Sequence, residues 1–307
     1  MLQDDLSIGA QGARVPSRWQ SWLAALRVGQ WPKNGLLFVA LVAAHRLFDA
    51  DAFARAALAF AAFCLAASSA YIVNDLRDRD ADRRHPRKCR RPFACGALGA
   101  RSGVVAAILL ACAAFALGAL LPLPFPAALA IYVATTLVYS FGLKRIAVLD
   151  VVTLAALYTL RIVAGALAIP VPASSWLLAF SLFLFLGLAM LKRYTEVGRV
   201  VAGVQDAVAG RGYRADHHRP LLVAGLASGA LSVVVLAFYV DSTKSAMLYR
   251  HPQVLWALAP LLALWLGRVW QRARRGLMHD DPVLFALTDR ISLAIGVACA
   301  ATVALAV

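Results

Sequence analysis

Charged residues, and acidic residues above all, are scarce in this sequence. Asp and Glu number 16 among 307 residues, against 31 Lys and Arg, and the four types together make up 15%. A soluble globular protein carries about 25% charged residues. Here hydrophobic residues reach 62% and the mean hydropathy is +0.72. The scarcity of charge excludes an ordinary soluble domain and predicts an integral membrane protein.

Cysteine is also sparse, and its placement does not suit cross-linking. Three of the five cysteines, Cys64, Cys112 and Cys299, lie in apolar runs, while Cys89 and Cys95 lie in a basic loop without a second cysteine pair or a histidine pair nearby. An odd number of unpaired cysteines argues against a disulfide framework, and we expect no zinc site. The polar N-terminus lacks a basic segment followed by an apolar core, so no cleavable signal peptide is expected.

Apolar stretches account for most of the chain. A transmembrane helix needs about 20 mostly apolar residues, and nine stretches come near that length. They are residues 34–48, 52–73, 103–121, 125–142, 146–169, 174–191, 220–240, 252–267 and 287–306. The first is short and is interrupted by His45 and Arg46. We therefore predict an all-α protein with nine transmembrane helices, comprising a polar segment at 1–26 and one catalytic domain at 27–307.

The basic residues gather in alternate connections between the predicted spans. If the N-terminus is cytoplasmic, most of the 31 Lys and Arg fall on that side, and the opposite side holds only Arg46, Arg55, Lys244 and Arg250. This bias satisfies the positive-inside rule. It predicts a cytoplasmic N-terminus in the inner membrane of the cell, with the C-terminus on the other side. It also explains the net charge of +15, so no nucleic-acid partner is expected.

An acidic cluster follows directly on the second predicted span. In a helix Asp75, Asp78 and Asp82 are spaced i, i+3 and i+7 and share one face, with Asn74 one position round. Three carboxylates on one face repel each other unless a cation lies among them, and Mg²⁺ binds through one or two carboxylates plus substrate phosphates. The pattern predicts a magnesium site for a diphosphate, with these four residues as ligands. The alternative is a solvated helix end held by neighbouring arginines.

Further charged residues follow the fourth and sixth predicted spans. Tyr139 and Lys144 lie after the fourth, and Lys192, Arg193 and Glu196 begin the connection after the sixth. Connections that follow the second, fourth and sixth spans share one membrane face. We therefore expect these residues and the acidic cluster to form one composite site.

The fifth predicted span contains two charged residues, Asp150 and Arg161. They lie eleven residues apart, which is three helical turns or about 16 Å, so they face the same way. A charge within a span costs about 2.5–3.5 kcal/mol and therefore faces a partner or a polar cavity. Arg161 either forms a structural salt bridge between two helices or reaches an anion in a cavity open to the cytoplasm.

Together these motifs carry a resemblance. Asn-Asp-x-x-Asp-x-x-x-Asp at 74–82, with nine helices, resembles the UbiA superfamily of intramembrane prenyltransferases. Five segments more narrowly resemble its polyprenyl-phosphate phosphoribosyltransferase branch. They are Gln30-Trp31-Pro32-Lys33-Asn34, Tyr139-x-x-x-Leu143-Lys144, Leu149-Asp150 with Leu160-Arg161, Lys192-Arg193-Tyr194-x-Glu196 and Asp281-Pro282-Val283-x-Phe285-Ala286-Leu287. The resemblance covers residues 27–292 and implies a UbiA-like helical bundle with a cytoplasm-facing cavity.

One segment departs from the superfamily members that act on aromatic acceptors. Those members carry a second aspartate-rich motif after the sixth helix, which helps to hold magnesium on a prenyl diphosphate. This chain has Lys192, Arg193 and Glu196 there. The exchange replaces a second metal-binding surface by a phosphate-binding one.

The branch implies a pentosyl transfer of the kind used in cell-envelope biosynthesis. The 5-phosphoribosyl group of phosphoribosyl pyrophosphate passes, with Mg²⁺, to a polyprenyl phosphate such as decaprenyl phosphate, and pyrophosphate is released. The substrate-binding candidates are Lys33, Asn34, Lys88, Arg91, Tyr139, Lys144, Asp150, Arg161, Lys192, Arg193 and Glu196. A homo-oligomer is compatible with this assignment. Gly210-Arg211-Gly212-Tyr213 is too short for a nucleotide-binding loop and is predicted to form a flexible turn.

Two other functions stay open from the sequence. One is a UbiA-type prenyltransferase that moves a prenyl group from a prenyl diphosphate to an aromatic acceptor. The other is a transporter that uses the acidic cluster for cation coupling. Transporters usually bind their substrates near the midplane between repeated halves, whereas these charges lie at one face and the sequence has no internal repeat.

Overall fold

The computed structural model describes residues 17–84, 88–204, 208, 210–278 and 281–307, and within them it contains helices and connections but no strand. The α-helices are α1 Arg18–Leu26, α2 Val39–Ala43, α3 Ala50–Arg77, α4 Arg79–Arg83, α5 Ala100–Gly118, α6 Pro124–Phe141, α7 Ala147–Ala168, α8 Ser175–Val201, α9 His218–Val240, α10 Thr243–Leu248, α11 Leu258–Arg274, α12 Pro282–Thr288 and α13 Arg290–Ala306. Short 3-10 helices span Val28–Phe38, Lys88–Arg90, Leu143–Arg145, Ala215–His217 and Pro252–Ala257. The all-α prediction is confirmed.

Seven helices in the described part of the chain are long and apolar enough to cross a membrane. They are Ala50–Arg77, Ala100–Gly118, Pro124–Phe141, Ala147–Ala168, Ser175–Val201, Ala215–Val240 and Pro252–Arg274. The count rises to eight if α12 and α13, which are bent by 79° at Asp289, form one broken span. An integral membrane protein is therefore confirmed, whereas the prediction of nine spans is not.

The first predicted span, residues 34–48, is where the structure departs most from the prediction. Its beginning belongs to the 3-10 helix Val28–Phe38, which has Pro32 inside it. The five-residue α2 follows, and the chain then turns at His45, whose φ is 54°. Proline supplies no backbone N–H to a helix, and a left-handed residue ends one. The segment therefore forms a broken helical stretch that packs inside the bundle.

A glycine in α7 lets this broken stretch approach closely. A Cβ atom at Gly165 would lie 2.1 Å from the carbonyl oxygen of Leu37, so any other residue would push the two elements apart. The close approach brings Lys33 and Asn34 beside α7, on which Arg161 lies one turn before Gly165.

Small residues also bring the central helices together. The buried face of α3 is rich in alanine at helical spacing, including Ala52, Ala56, Ala59 and Ala66. Small residues let helix backbones pack closely where lipid replaces water. The ends of α3, α6 and α8 and the start of α7 then lie at the same end of the bundle, because successive long helices run in opposite directions. These ends carry the candidate site.

Candidate active site

A cavity of about 990 Å³ opens where the ends of α3, α6 and α8 meet α12 and the 3-10 helix Val28–Phe38. Its basic lining residues, within the described parts of the chain, are Arg27, Lys33, Lys88, Arg91, Lys144, Arg145, Arg161, Lys192, Arg193 and Arg211. Its acidic lining residues there are Asp78, Asp82 and Asp281. The cations outnumber the carboxylates, so the cavity suits anionic ligands. A groove of about 1240 Å³ beside α11 has none of the predicted site residues in its lining.

The predicted acidic cluster lies on two helices joined at Asp78. This residue follows the last residue of α3 and precedes α4, and its carbonyl accepts from the backbone N–H of Asp82 at 2.8 Å. Asp78, Asp82 and Asn74 all line the cavity. The carboxylate of Asp78 lies 3.4 Å from Nζ of Lys144. The acidic cluster and the connection after α6 therefore meet, as predicted.

Asp75 has a different position from the other members of the cluster. It is 2% exposed, and in the described chain it lies behind the lining of the cavity. Its Oδ1 accepts from Nη2 of Arg27 at 2.6 Å and from Nη1 of Arg91 at 3.2 Å. The same Nη1 of Arg91 donates to Oδ2 of Asp82 at 2.6 Å. Asp75 thus fixes two arginines in the cavity wall.

The acidic cluster does not form a complete metal site by itself. The described residues include no group of three Asp, Glu, His or Cys side chains placed to hold a metal ion. Asp78, Asp82 and Asn74 nevertheless present oxygen atoms to the cavity. This donor set fits Mg²⁺, which usually binds through one or two carboxylates and takes its other ligands from substrate phosphates and water.

A second group of charges is centred on Asp150, which is completely buried at the start of α7. It accepts hydrogen bonds from the hydroxyl of Tyr139 at 2.8 Å, from Nη1 of Arg211 at 2.8 Å and from the guanidinium of Arg193. Arg193 also donates to Glu196. Tyr139, Arg193 and Arg211 line the cavity, whereas Asp150 and Glu196 support them from behind.

Arg211 is a site residue that the sequence pattern does not predict. It lies in the segment 210–213, for which we predicted only a turn. A Cβ atom at Gly212 would lie 2.2 Å from the carbonyl oxygen of Arg145, and the hydroxyl of Tyr213 donates to the carbonyl of Ala147. These contacts seat the segment on the connection between α6 and α7. The glycines beside Arg211 are the only signal in the sequence for such a close approach.

Arg161 lies in the wall of the cavity, inside the bundle, and is 7% exposed. Its Nε donates to Oδ1 of Asn34 at 2.9 Å, and its Nη2 donates to the hydroxyl of Tyr132 at 2.9 Å. The guanidinium also lies 4.8 Å and 5.3 Å from the ring centres of Tyr132 and Tyr158. In the described part of the chain no carboxylate lies within salt-bridge distance of it. The alternative of a structural salt bridge is therefore not supported.

Asp281, at the start of α12, connects three elements. Its Oδ1 accepts from the backbone N–H groups of Val283 at 3.1 Å and Leu284 at 3.3 Å, as a helix cap does. Its Oδ2 accepts from Nζ of Lys33 and lies 3.5 Å from Nζ of Lys192. Burial raises the pKa of Asp281, but the two lysines outweigh burial and hold the pKa at about 2. The residue is therefore a carboxylate at neutral pH.

Two lysines of the lining that lie outside the membrane-crossing helices, Lys33 and Lys88, have lowered pKa values. Burial lowers the pKa of Lys33, and the carboxylate of Asp281 opposes the change. Burial also lowers the pKa of Lys88, and the charges of Arg91 and Arg211 add to the effect. Lys88 and Arg211, from the connections after α4 and after α8, both line the cavity.

The structure brings most of the predicted site residues together. Those that line the cavity are Lys33, Asn74, Asp78, Asp82, Lys88, Arg91, Tyr139, Lys144, Arg161, Lys192 and Arg193. The other four, Asn34, Asp75, Asp150 and Glu196, hydrogen-bond to lining residues from behind. The lining residues without a predicted role include Arg27, Tyr132, Tyr158, Arg211 and Asp281.

The fold and this cavity define a class of helical membrane transferases. A UbiA homolog from Archaeoglobus fulgidus bound to GPP and Mg²⁺ superposes with a TM-score of 0.69 at 18% identity, over 92% of this chain and 97% of that one. At this identity the likeness concerns the fold alone. The family model described as the UbiA prenyltransferase family matches residues 35–294. The chain belongs to the UbiA prenyltransferase family.

Three relatives extend the comparison. The chain is 39% identical over 279 residues to the uncharacterized protein y4nM of Sinorhizobium fredii, covering 90% of this chain and 54% of that protein. It is 37% identical over 287 residues to nodulation protein NoeC of Azorhizobium caulinodans, covering 92% and 91%. It is 40% identical over 179 residues to the decaprenyl-phosphate phosphoribosyltransferase of Mycolicibacterium smegmatis, covering 57% and 56%. The chain thus spans about half the length of the first relative.

Proposed function

We propose that the protein transfers the 5-phosphoribosyl group from phosphoribosyl pyrophosphate to a polyprenyl phosphate of the decaprenyl type and releases pyrophosphate in a Mg²⁺-dependent reaction. The observation that carries the proposal is the charge of the cavity, where ten basic and three acidic side chains of the described chain form the lining. This reaction brings together a diphosphate, a 5-phosphate and a lipid phosphate. Such groups repel strongly in a low-dielectric site unless several cations separate them.

The end of α8 and one relative support the same choice. Lys192 and Arg193, with Glu196, stand where aromatic-acceptor members carry a second aspartate-rich motif. The relative from Mycolicibacterium smegmatis, named for decaprenyl phosphate, aligns with 57% of this chain. The alternative, a prenyl transfer to a neutral aromatic acceptor, involves one anionic group fewer and leaves more of the cations without a ligand.

The acidic cluster would hold the metal on the donor. Asp78, Asp82 and Asn74 face the cavity and would be its protein ligands, and Mg²⁺ would neutralise the charge of the departing diphosphate. Asp75 would keep Arg27 and Arg91 directed at the same phosphates. Lys144, within 3.4 Å of Asp78, is placed to contact the diphosphate beside the metal.

The reaction is a substitution at C1 of the ribose. An oxygen of the lipid phosphate forms the new bond to C1 while the bond between C1 and the diphosphate oxygen breaks, and pyrophosphate leaves with the electron pair. A phosphate monoester is already anionic near pH 7, so no strong general base is needed. The lining cations would therefore act by orienting the two anions and by stabilising the charge that moves to the leaving group.

The proposed reaction also fits a definite orientation in the membrane. We infer that the cavity and the N-terminus face the cytoplasm across the inner membrane of the cell, with the C-terminus on the other side. The basic connections lie at the cavity end of the bundle, as the positive-inside rule requires of cytoplasmic loops. A water-soluble donor would then enter from the cytoplasm, while the acceptor would arrive within the bilayer.

One assay tests the function. The purified chain in detergent is supplied with Mg²⁺, phosphoribosyl pyrophosphate and decaprenyl phosphate, and the release of pyrophosphate is followed. We expect release that depends on both substrates and stops when EDTA removes the metal. If no pyrophosphate appears, and a prenyl diphosphate with an aromatic acid is turned over instead, the prenyltransferase alternative is correct.

A further inference from the structure

The carboxylate of Asp281 lies in a position that suits a ligand phosphate. It is held between the ammonium groups of Lys33, on the 3-10 helix, and Lys192, on α8. These residues come from three elements that are far apart in the chain, since Lys33 and Asp281 are 248 positions apart. Arg161 lies close enough for its charge to lower the pKa of Lys33. Asp281 therefore balances only part of the positive charge around it.

Several apolar side chains also line the cavity, and two of them follow Asp281 in α12. Leu284 and Phe285 of α12 line the cavity on one side, and Leu154, Leu157 and Tyr158 of α7 line it as well. The acidic cluster differs, since it is surrounded by charged side chains of the loops and by Lys144. A phosphate that carries a long hydrocarbon chain fits the apolar end of the cavity, because its chain must leave through helices and not through charged loops.

We propose that Lys33 and Lys192 bind the phosphate of the polyprenyl acceptor and that Asp281 is an intramolecular competitor for the same position. This inference rests on the proposed function and adds to it the place of the acceptor. Asp281 is a positioning residue, since it acts through the two lysines. It shields them from each other when no lipid is bound and gives way when the lipid phosphate arrives.

Substitution of Asp281 by asparagine separates the competing charge from the structural role. Asparagine caps a helix about as well as aspartate, so Asp281→Asn keeps the hydrogen bonds to Val283 and Leu284 and removes the negative charge. We expect Asp281→Asn to bind decaprenyl phosphate roughly threefold to tenfold more tightly than the wild type, because a like charge beside the ligand is gone. The dissociation constant for phosphoribosyl pyrophosphate with Mg²⁺ should change by less than about twofold.

Equilibrium binding of radiolabelled decaprenyl phosphate and of radiolabelled phosphoribosyl pyrophosphate to the full chain in detergent measures both constants. Asp289→Asn is the matched control. Asp289 caps α13 by accepting from the backbone N–H of Ser292 at 2.9 Å and pairs with Arg268 at 2.7 Å, and its own side chain does not line the cavity. This control should leave both constants unchanged.

The result has clear alternatives. Unchanged or weaker binding of decaprenyl phosphate to Asp281→Asn overturns the inference, and so does tighter binding of the donor. If Asp281→Asn does not fold, Lys192→Gln tests the inference instead. Lys192→Gln should bind decaprenyl phosphate about tenfold more weakly than the wild type and should bind the donor within about twofold of the wild type. Weaker binding of the donor with unchanged binding of the lipid overturns the inference. Tighter lipid binding without any wild-type turnover contradicts the proposed function alone. Wild-type turnover without tighter binding contradicts this inference alone.

Discussion

Arg193 of α8 and Asp150 of α7 form an ion pair in which neither side chain has any exposed surface. The guanidinium donates to both carboxylate oxygens, with Nη2 at 3.2 Å from Oδ1. Burying two charges is costly, but removing one partner costs more because the other charge remains without compensation. The pair therefore fixes the end of α8 against the start of α7, and with it the part of the wall that holds Lys192 and Tyr139.

We expect Arg193→Gln to destabilise the protein by about 3–5 kcal/mol, since it leaves Asp150 buried with less positive charge. Unfolding by denaturant in detergent micelles, followed by tryptophan fluorescence, measures the change. The matched control is Arg55→Gln, which breaks an ion pair with Asp51 on the exposed surface of α3. Exposed pairs contribute about 0–1 kcal/mol. Equal losses in the two variants would show that the buried pair has no special role.

Asp78→Asn should abolish pyrophosphate release while the protein stays folded, because Asp78 is the member of the acidic cluster with the most open access to the cavity. The control is Asp80→Asn. Asp80 has a 70% exposed side chain and, among the described residues, pairs with Arg79 and Arg83 on its own helix, so this variant should keep near-normal activity. Rates of pyrophosphate release at saturating Mg²⁺ compare the two. Near-normal release by Asp78→Asn would remove the acidic cluster from the mechanism.

Arg211→Ala should lower kcat/KM for phosphoribosyl pyrophosphate about tenfold or more. The substitution removes one cation from the lining and the hydrogen bonds to Tyr139 and Asp150, each of which is assisted by charge. Steady-state kinetics with the donor varied measures the effect. Arg219→Ala, at an exposed position of α9, removes the same charge outside the cavity. If both variants lose activity equally, Arg211 acts through the overall charge of the protein.

The affinity for decaprenyl phosphate, whose phosphate we place at Lys33, should fall as the pH rises toward 10. Burial lowers the pKa of Lys33 from its ordinary value of 10.5, so this lysine loses its proton at a lower pH than an exposed lysine does. A bound anion favours the protonated form, and binding is therefore strongest below the lowered pKa and weakens as the pH passes through it. Equilibrium binding of decaprenyl phosphate between about pH 7 and 10 tests this. Lys33→Arg stays charged throughout this range, so the loss of affinity should move to higher pH in this variant. An unchanged pH profile would show that a group other than Lys33 causes the loss.

Local patterns were sufficient to predict the acidic cluster and the helical class. Asp78 and Asp82 are four residues apart, so they lie one helical turn apart and both line the cavity. The apolar lengths likewise predicted most of the spans. The apolar length of residues 34–48 did not predict the broken helix found there. Hydropathy does not show that Pro32 and the left-handed backbone of His45 interrupt an α-helix.

The missed site residues depend on contacts between distant parts of the chain. Arg211 lies 61 positions from Asp150, and Asp281 lies 248 positions from Lys33. No helical or strand period relates residues over such distances, and only the packing of the folded bundle brings them together. Asp75 shows the converse: its spacing predicted a metal ligand, but the arginines at 27 and 91 surround it in three dimensions.

The surplus of basic side chains around the cavity affects the stability of the protein as well as its reaction. Side chains of like charge confined in one hollow repel each other, and a ligand that binds only the folded form stabilises it by mass action. Small polyanions of the cell should therefore bind in the cavity between catalytic cycles and stabilise the folded protein. Preparations in phosphate-free, low-salt buffer should unfold at lower temperature than those supplied with pyrophosphate, so the choice of buffer decides how much intact protein is recovered.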